Sequence, residues 1–158
     1  MYVLLVSSIN TLFWIALHFG TAYTFCKLPV RWFSPGKRFF RVSDCEMNFY
    51  RRIALPKWKD KLPQFNADFD KRHLKKELSP AYVDRFLYVT CRAEMIHLAI
   101  PVLGYLSLFS VFFFERPKEE LPLFAAIATF IGLCNLPFAM IQRYNRYRLL
   151  RLRRRMQA

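Results

Sequence analysis

From Tyr2 to Cys26 the chain carries no Asp, Glu, Lys or Arg, and an uncharged run of that length constrains the fold more than any other feature. About 20 apolar residues in a helix cross the hydrocarbon core of a bilayer, and the helix satisfies its backbone N–H and C=O groups internally. Two further runs follow, near Met95–Phe114 and Leu121–Ile141. Only Glu115-Arg-Pro-Lys-Glu-Glu120 lies between them, a short hairpin with a proline to turn it. The expected fold is therefore all-α: a helical integral membrane protein with three transmembrane helices, at about 2–26, 95–114 and 121–141, forming one membrane domain over 1–158. Basic residues follow the first run, from Lys27, rather than precede it. The run thus reads as a span and not as a cleaved secretory leader.

Composition separates this class from its competitors. The chain is 54% hydrophobic, yet its formal net charge is +14. A nucleic-acid binder would be as basic but would not hold long uncharged runs, so no nucleic-acid partner is expected. Residues 27–93 hold 16 Lys and Arg, residues 142–158 hold seven and the hairpin holds two. The positive-inside bias then places segment 27–93 and the Arg-rich tail 142–158 in the cytosol, and the N-terminus and hairpin outside. The expected localisation is the cell membrane, multi-pass. Cys26, Cys45, Cys91 and Cys134 show neither CxxC nor zinc-site spacing and read as free thiols.

The segment between the first two spans has its own character. Aromatics interleave with cations in Arg31-Trp-Phe-Ser-Pro-Gly-Lys-Arg-Phe-Phe-Arg41 and in Lys57-Trp-Lys-Asp-Lys61. Such a mixture suits the headgroup layer, where rings enter the acyl boundary and cations meet anionic phospholipids. Lys71-Arg-His-Leu-Lys-Lys76 and the arginines from Arg143 to Arg155 read as topology signals and lipid contacts of the same kind. Ser79-Pro80 is a helix start, with a capping hydroxyl and proline at the first helical position. Val83, Phe86, Leu87 and Thr90 then recur at helical spacing, so an amphipathic helix should feed directly into the second span.

Polar groups inside spans cost free energy and therefore face protein, water or ligand. Ser7, Asn10, Thr11, His18 and Thr21 fall within an arc of about 100° on the first helix. Glu94 and His97 share a face at the start of the second span, and Asn135, Gln142, Asn145 and Arg146 align along the third. By helical rise, Asn135 lies about 10 Å deeper than Gln142, and His18 about 13 Å above Lys27. Glu94, His97, Asn135, Gln142 to Arg146 and His18 are therefore expected in the cytosolic leaflet. An acid beside an imidazole can move protons, so Glu94 is expected to hold His97 as a general base, with His73 in reserve. A guanidinium at this depth, from Gln142-Arg-Tyr-Asn-Arg146, suits phosphate, carboxylate or an acyl oxyanion. Helix–helix hydrogen bonding is the competing reading, and it is preferred for Ser7, Thr11, Thr21 and His18. Three histidines cannot supply a clustered di-iron site, and HExxH, HxxxxD and GxSxG are all absent, so no metal is expected.

Asp70-Lys-Arg-His-Leu74, Arg92-Ala-Glu-Met-Ile-His97, Asn135-Leu-Pro137 and Gln142-Arg-Tyr-Asn-Arg146, with Trp58-Lys59 and Lys61, resemble the glycosyl-diaponeurosporenoate acyltransferases of staphyloxanthin biosynthesis. The likeness spans roughly residues 45–155. It implies transfer of a fatty acyl group to a sugar hydroxyl of a carotenoid glycoside or another glycosylated membrane lipid, and carries over no role for any single residue.

Residue chemistry and resemblance together give the expected scheme. His97 removes the proton of the acceptor hydroxyl, Arg143 or Asn145 stabilises the oxyanion, and Asn135 orients the sugar or acyl carbonyl. Lys57, Lys59 and Lys61 hold the phosphates of a donor such as acyl-CoA, with no other cofactor. Trp58, Arg92, Gln142, Arg146 and His18 complete the candidate binding set. The alternative is a non-catalytic membrane subunit that binds lipid or scaffolds a partner enzyme. The sequence leaves open whether the chain acts alone or as a homo-oligomer.

Overall fold

The structure, a computed structural model, describes residues 2–63 and 79–158. His73 and the string Asp70–Leu74 lie outside the described residues. Five α-helices occur among those described: α1 (Tyr2–Lys27), α2 (Asp44–Arg52), α3 (Leu55–Trp58), α4 (Pro80–Leu103) and α5 (Pro117–Gln157). Short 3-10 turns at Val30–Phe33, Arg38–Phe40 and Lys59–Lys61, and a longer 3-10 segment at Gly104–Phe113, fill the connections. No strand occurs among the described residues, and three helical stretches are long and apolar enough to cross a membrane. The all-α, three-span class is therefore observed.

The helices run further than the apolar runs that announce them. α4 starts at Pro80, where Ser79 Oγ accepts from Tyr82 N at 3.1 Å, and continues without a break into the second span. It ends soon after Pro101, which has no N–H to give the preceding turn. α5 begins at Pro117, with Glu119 and Glu120 in its first turn, where acids complement the helix dipole. It then carries the whole Arg-rich tail as helix, so the tail is a continuation of the third span.

Contacts divide the chain into two compact units: Met1–Leu28 with Met95–Ala139, and Pro29–Glu94 with Met140–Ala158. The first unit has two apolar clusters. Val6, Val111 and Phe124 form one; Trp14, Ile100 and Ala128, flanked by Phe13, Leu17, Ile96 and Ile131, form the other. Its outward surface is also apolar, as at Leu4, Phe19, Val102 and Phe130, which suits contact with acyl chains. Close helix approach depends on missing side chains. A Cβ on Gly104 would overlap the Trp14 ring, and one on Gly132 would sit 3.3 Å from the Pro101 backbone.

In the second unit, Ser43 caps α2, its Oγ accepting from Glu46 N at 3.1 Å. Ala54, at φ 53°, turns the chain from α2 into α3. Met47, Tyr50 and Leu55 pack with Ile141. Val83, Phe86, Leu87 and Val89 of α4 pack with Leu149 of α5. Segment 29–63 is thereby folded onto helices rather than left as a linker.

Gly104→Ala should lower stability by about 1–3 kcal/mol, the range for overpacking, because the rigid Trp14 ring must move. A lower unfolding midpoint in detergent is the expected outcome; an unchanged midpoint would show that Trp14 is not held there.

Candidate active site

The second unit contains a cluster of two carboxylates and two guanidiniums. Glu94 is fully buried on α4. Its Oε1 accepts from Arg143 Nη1 at 2.6 Å, and its Oε2 accepts from Arg146 Nη2. Arg143 also grips Glu46 of α2 in a fork, Nε to Oε1 at 2.5 Å and Nη2 to Oε2 at 2.8 Å. Its remaining hydrogens go to the carbonyls of Phe39 (3.2 Å) and Arg41 (2.8 Å). A guanidinium has five N–H donors, and all five of Arg143 are used. Arg146 is fully buried, with Nε donating to Phe40 O at 2.9 Å and the Phe40 ring 5.3 Å from its guanidinium carbon. Nη1 of Arg146 has no hydrogen-bond acceptor among the described residues, and a ring face at this distance is favourable to a guanidinium.

This cluster corrects two expectations. Glu94 does not serve His97: both of its oxygens are taken by arginines, whose fixed positive charge outcompetes a neutral imidazole. Arg143 has no N–H left for an oxyanion, so its role is to tie segment 39–46 to α4 and α5. Two acids and two bases cancel in charge, which makes their burial tolerable.

Glu46 was not singled out in the sequence. Ser43-Asp-Cys-Glu46 has the spacing of a helix cap, but nothing local reveals that Glu46 meets an arginine 97 residues away. Burial alone would raise its pKa, but hydrogen bonds from Arg143 and Tyr50 hold it below the ordinary value of 4.5. Burial and the Glu46 hydrogen bond push the Tyr50 phenol above its usual range.

In the first unit His97 has a different partner. Asn135 Nδ2 donates to Ile131 O at 3.0 Å, which turns Oδ1 toward His97 Nδ1 at 3.2 Å. An amide oxygen only accepts, so Nδ1 carries the proton and Nε2 keeps its lone pair. Phe138 stacks on the imidazole, centroids 5.0 Å apart at 19°. The ring is half-buried and fixed in tautomer and plane, with one nitrogen free to accept. That is the arrangement a general base needs. His18 Nδ1 meets Trp14 O at 2.8 Å, one turn back on its own helix.

The other candidates are dispersed. Arg92 lies 5.3 Å over Tyr88, and Trp58 Nε1 donates to Ile53 O at 3.0 Å. Lys57 and Lys61 are exposed, whereas Lys59 is buried and pairs with Asp60 at 2.6 Å, so the three lysines do not form one patch. Asn145 is buried and Gln142 half-buried.

A family model described as glycosyl-4,4'-diaponeurosporenoate acyltransferase matches residues 29–155. Proteins of that name from Staphylococcus aureus strains bovine RF122 / ET3-1 and USA300 are each 27% identical over 154 residues, covering 91% of this chain and 86% of the relative. No solved structure matches. The match takes in Glu46, Glu94, His97, Asn135, Arg143 and Arg146 and leaves α1 outside.

Glu94→Gln should destabilise the fold by about 3–5 kcal/mol, because it leaves two arginines without their shared charge. Loss of the folded fraction in detergent is the readout; normal stability with lost turnover would return Glu94 to the chemistry. The pH dependence follows from Glu46. Its folded pKa is depressed, so its contribution is present above the ordinary value and is lost as pH falls through the folded one. The unfolding midpoint should therefore drop on acidification below about pH 4.5, and Glu46→Gln should flatten that drop from a lower starting stability.

Proposed function

We propose, because this chain belongs to the glycosyl-4,4'-diaponeurosporenoate acyltransferase family, that the acyltransferase moves a fatty acyl group onto a sugar hydroxyl of a glycosylated lipid or carotenoid at the cytosolic face of the cell membrane. The observation that carries the reading is His97, whose Nδ1–H is held by Asn135 and whose Nε2 is left to accept.

The chemistry then runs as follows. Nε2 of His97 takes the proton of the acceptor hydroxyl as its oxygen attacks the acyl carbonyl. Asn135 holds the imidazolium that results, keeping Nδ1–H in place while the charge is present. Collapse of the tetrahedral adduct expels the donor's leaving group, which receives the proton from Nε2. An acyl thioester such as acyl-CoA supplies the donor, and its thiol is then the product. The reading of the acceptor as a glycoside is supported by the name of the family and of its relatives, glycosyl-4,4'-diaponeurosporenoate acyltransferase.

Placement at the membrane rests on the three apolar helices. Orientation rests on the concentration of Lys and Arg in 27–93 and 142–158. Exposed Trp32 and Phe39, interleaved with exposed Arg31, Lys37 and Arg38, fit contact with anionic headgroups.

His97→Ala should lower turnover on the order of 10²–10⁴-fold without unfolding the protein. His97→Gln should not rescue it, since glutamine cannot take the proton. Asn135→Leu should lower kcat with little change in KM, and the double variant should be scarcely worse than His97→Ala. Product formation by purified variants at matched protein level reads all four. Near-normal turnover in His97→Ala would move the base elsewhere, with His73 the next residue to test.

A further inference from the structure

The arginines at the end of α5 divide into two sets. Arg143, Arg146 and Arg153 are each paired with carboxylates: Arg143 with Glu46 and Glu94, Arg146 with Glu94, and Arg153 with Asp84 at 2.7 Å. At about 100° per residue these three fall within an arc of about 80° on the helix. Arg148, Arg151 and Arg155 fall within about 60° on the opposite side. They are exposed and meet no carboxylate among the described residues.

This second set continues the face that α5 turns toward α2. Ile141 packs with Met47 and Tyr50, and Tyr144 and Tyr147 lie against that cluster. Tyr147 Oη donates to Asp44 at the start of α2. Past that contact the same face carries arginine. The Arg148 guanidinium carbon lies 5.7 Å from the Tyr144 ring centroid, and that of Arg151 lies 5.4 Å from the Tyr147 centroid. A ring face restrains a guanidinium but takes none of its five N–H donors. Arg51 of α2 is exposed and donates to Asn48 Oδ1 at 3.3 Å. It lies close enough to act electrostatically on the Tyr147 phenol, as Arg151 does.

Charge identifies the class of ligand. Three guanidiniums, of Arg51, Arg148 and Arg151, stand against the one carboxylate of Asp44, so two positive charges are uncancelled before Arg155 is counted. Like charges gathered on one surface repel one another, and a bound anion relieves that repulsion. A lone carboxylate would fill one guanidinium fork and leave the rest. A phosphate monoester carries about two negative charges and three acceptor oxygens, enough for neighbouring forks. The lysines expected from the sequence to hold such phosphates do not form one patch; these arginines do.

We propose that Arg51, Arg148 and Arg151 form a binding site for a phosphate dianion on the exposed face shared by α2 and α5. Arg148 and Arg151 are three residues apart, about 4.5 Å of helical rise, so their forks can meet on one phosphoryl group. The site stands on this arrangement of charges; only the assignment of the phosphate to an acyl donor rests on the acyltransferase reading. A lipid headgroup that ends in a phosphate monoester offers the same chemistry.

The test reads binding, so its failure is distinct from a failure of acyl transfer. Full-length protein in phosphatidylcholine nanodiscs is titrated calorimetrically with pyrophosphate at fixed ionic strength. Saturable binding is expected, and Arg148→Gln with Arg151→Gln should weaken it about tenfold. Arg148→Lys with Arg151→Lys keeps the charge but loses the planar forks, and should fall between the two. Lys57→Gln with Lys61→Gln removes two exposed cations elsewhere in the same unit and should leave binding unchanged. The titration is then repeated in nanodiscs that also contain phosphatidic acid. Loss of pyrophosphate binding there assigns the site to a headgroup phosphate, and persistence assigns it to a soluble phosphorylated compound. Equal weakening by the lysine pair would overturn the proposal, since diffuse charge would then account for the binding. So would unchanged binding in the Arg148→Gln, Arg151→Gln protein, whose unfolding midpoint should match that of the parent because both side chains are exposed.

Discussion

The interaction on which the second unit depends is the clamp of Arg143 and Arg146 around Glu94. Each charge there would be prohibitively costly to bury alone. Together, with Glu46 as the fourth member, they cancel and use nearly every hydrogen-bonding position available. The clamp also collects the carbonyls of Phe39, Phe40 and Arg41. A stretch with little regular structure of its own is thereby fixed to α4 and α5. The apolar cluster of Met47, Tyr50 and Leu55 with Ile141 packs in the same unit.

The first unit solves a different problem with different groups. Its spans hold neutral polar side chains rather than ion pairs, because an isolated charge in an apolar interior has no affordable partner. Asn135 satisfies its own NH₂ on Ile131 and so presents a pure acceptor to His97. The stacked Phe138 ring restrains the imidazole plane. The tautomer and plane of the imidazole are set in this way by a neutral hydrogen bond and packing. Small residues have a matching role: Gly104 makes the space that Trp14 occupies.

Several elements were legible in the sequence because their causes are local. The uncharged runs announce three helices, Ser79-Pro80 marks where α4 starts, and Val83, Phe86, Leu87 and Thr90 are the face that α4 buries. The extent of α5 was not legible: the apolar run ends near Ile141, and the arginines after it read as topology signals and lipid contacts rather than as helix. Glu94 and His97 were legible as a pair on one helix face but not as partners. Three residues apart they are offset by about 60° around the axis, and each is claimed by a group remote in sequence. Glu46 stayed hidden behind its capping position.

The sequence by itself determined the class: three apolar helices, a basic segment between the first two, a basic end to the third and polar residues aligned on helix faces. These follow from hydrophobicity, charge and helical period, which act over a few residues at a time. Its short motifs also carried the family likeness. Only the tertiary structure decided which acid meets which base and which histidine nitrogen is free. Hydrogen bonds of about 3 Å select one partner among several chemically suitable ones, and that selection depends on where elements far apart in the chain come together.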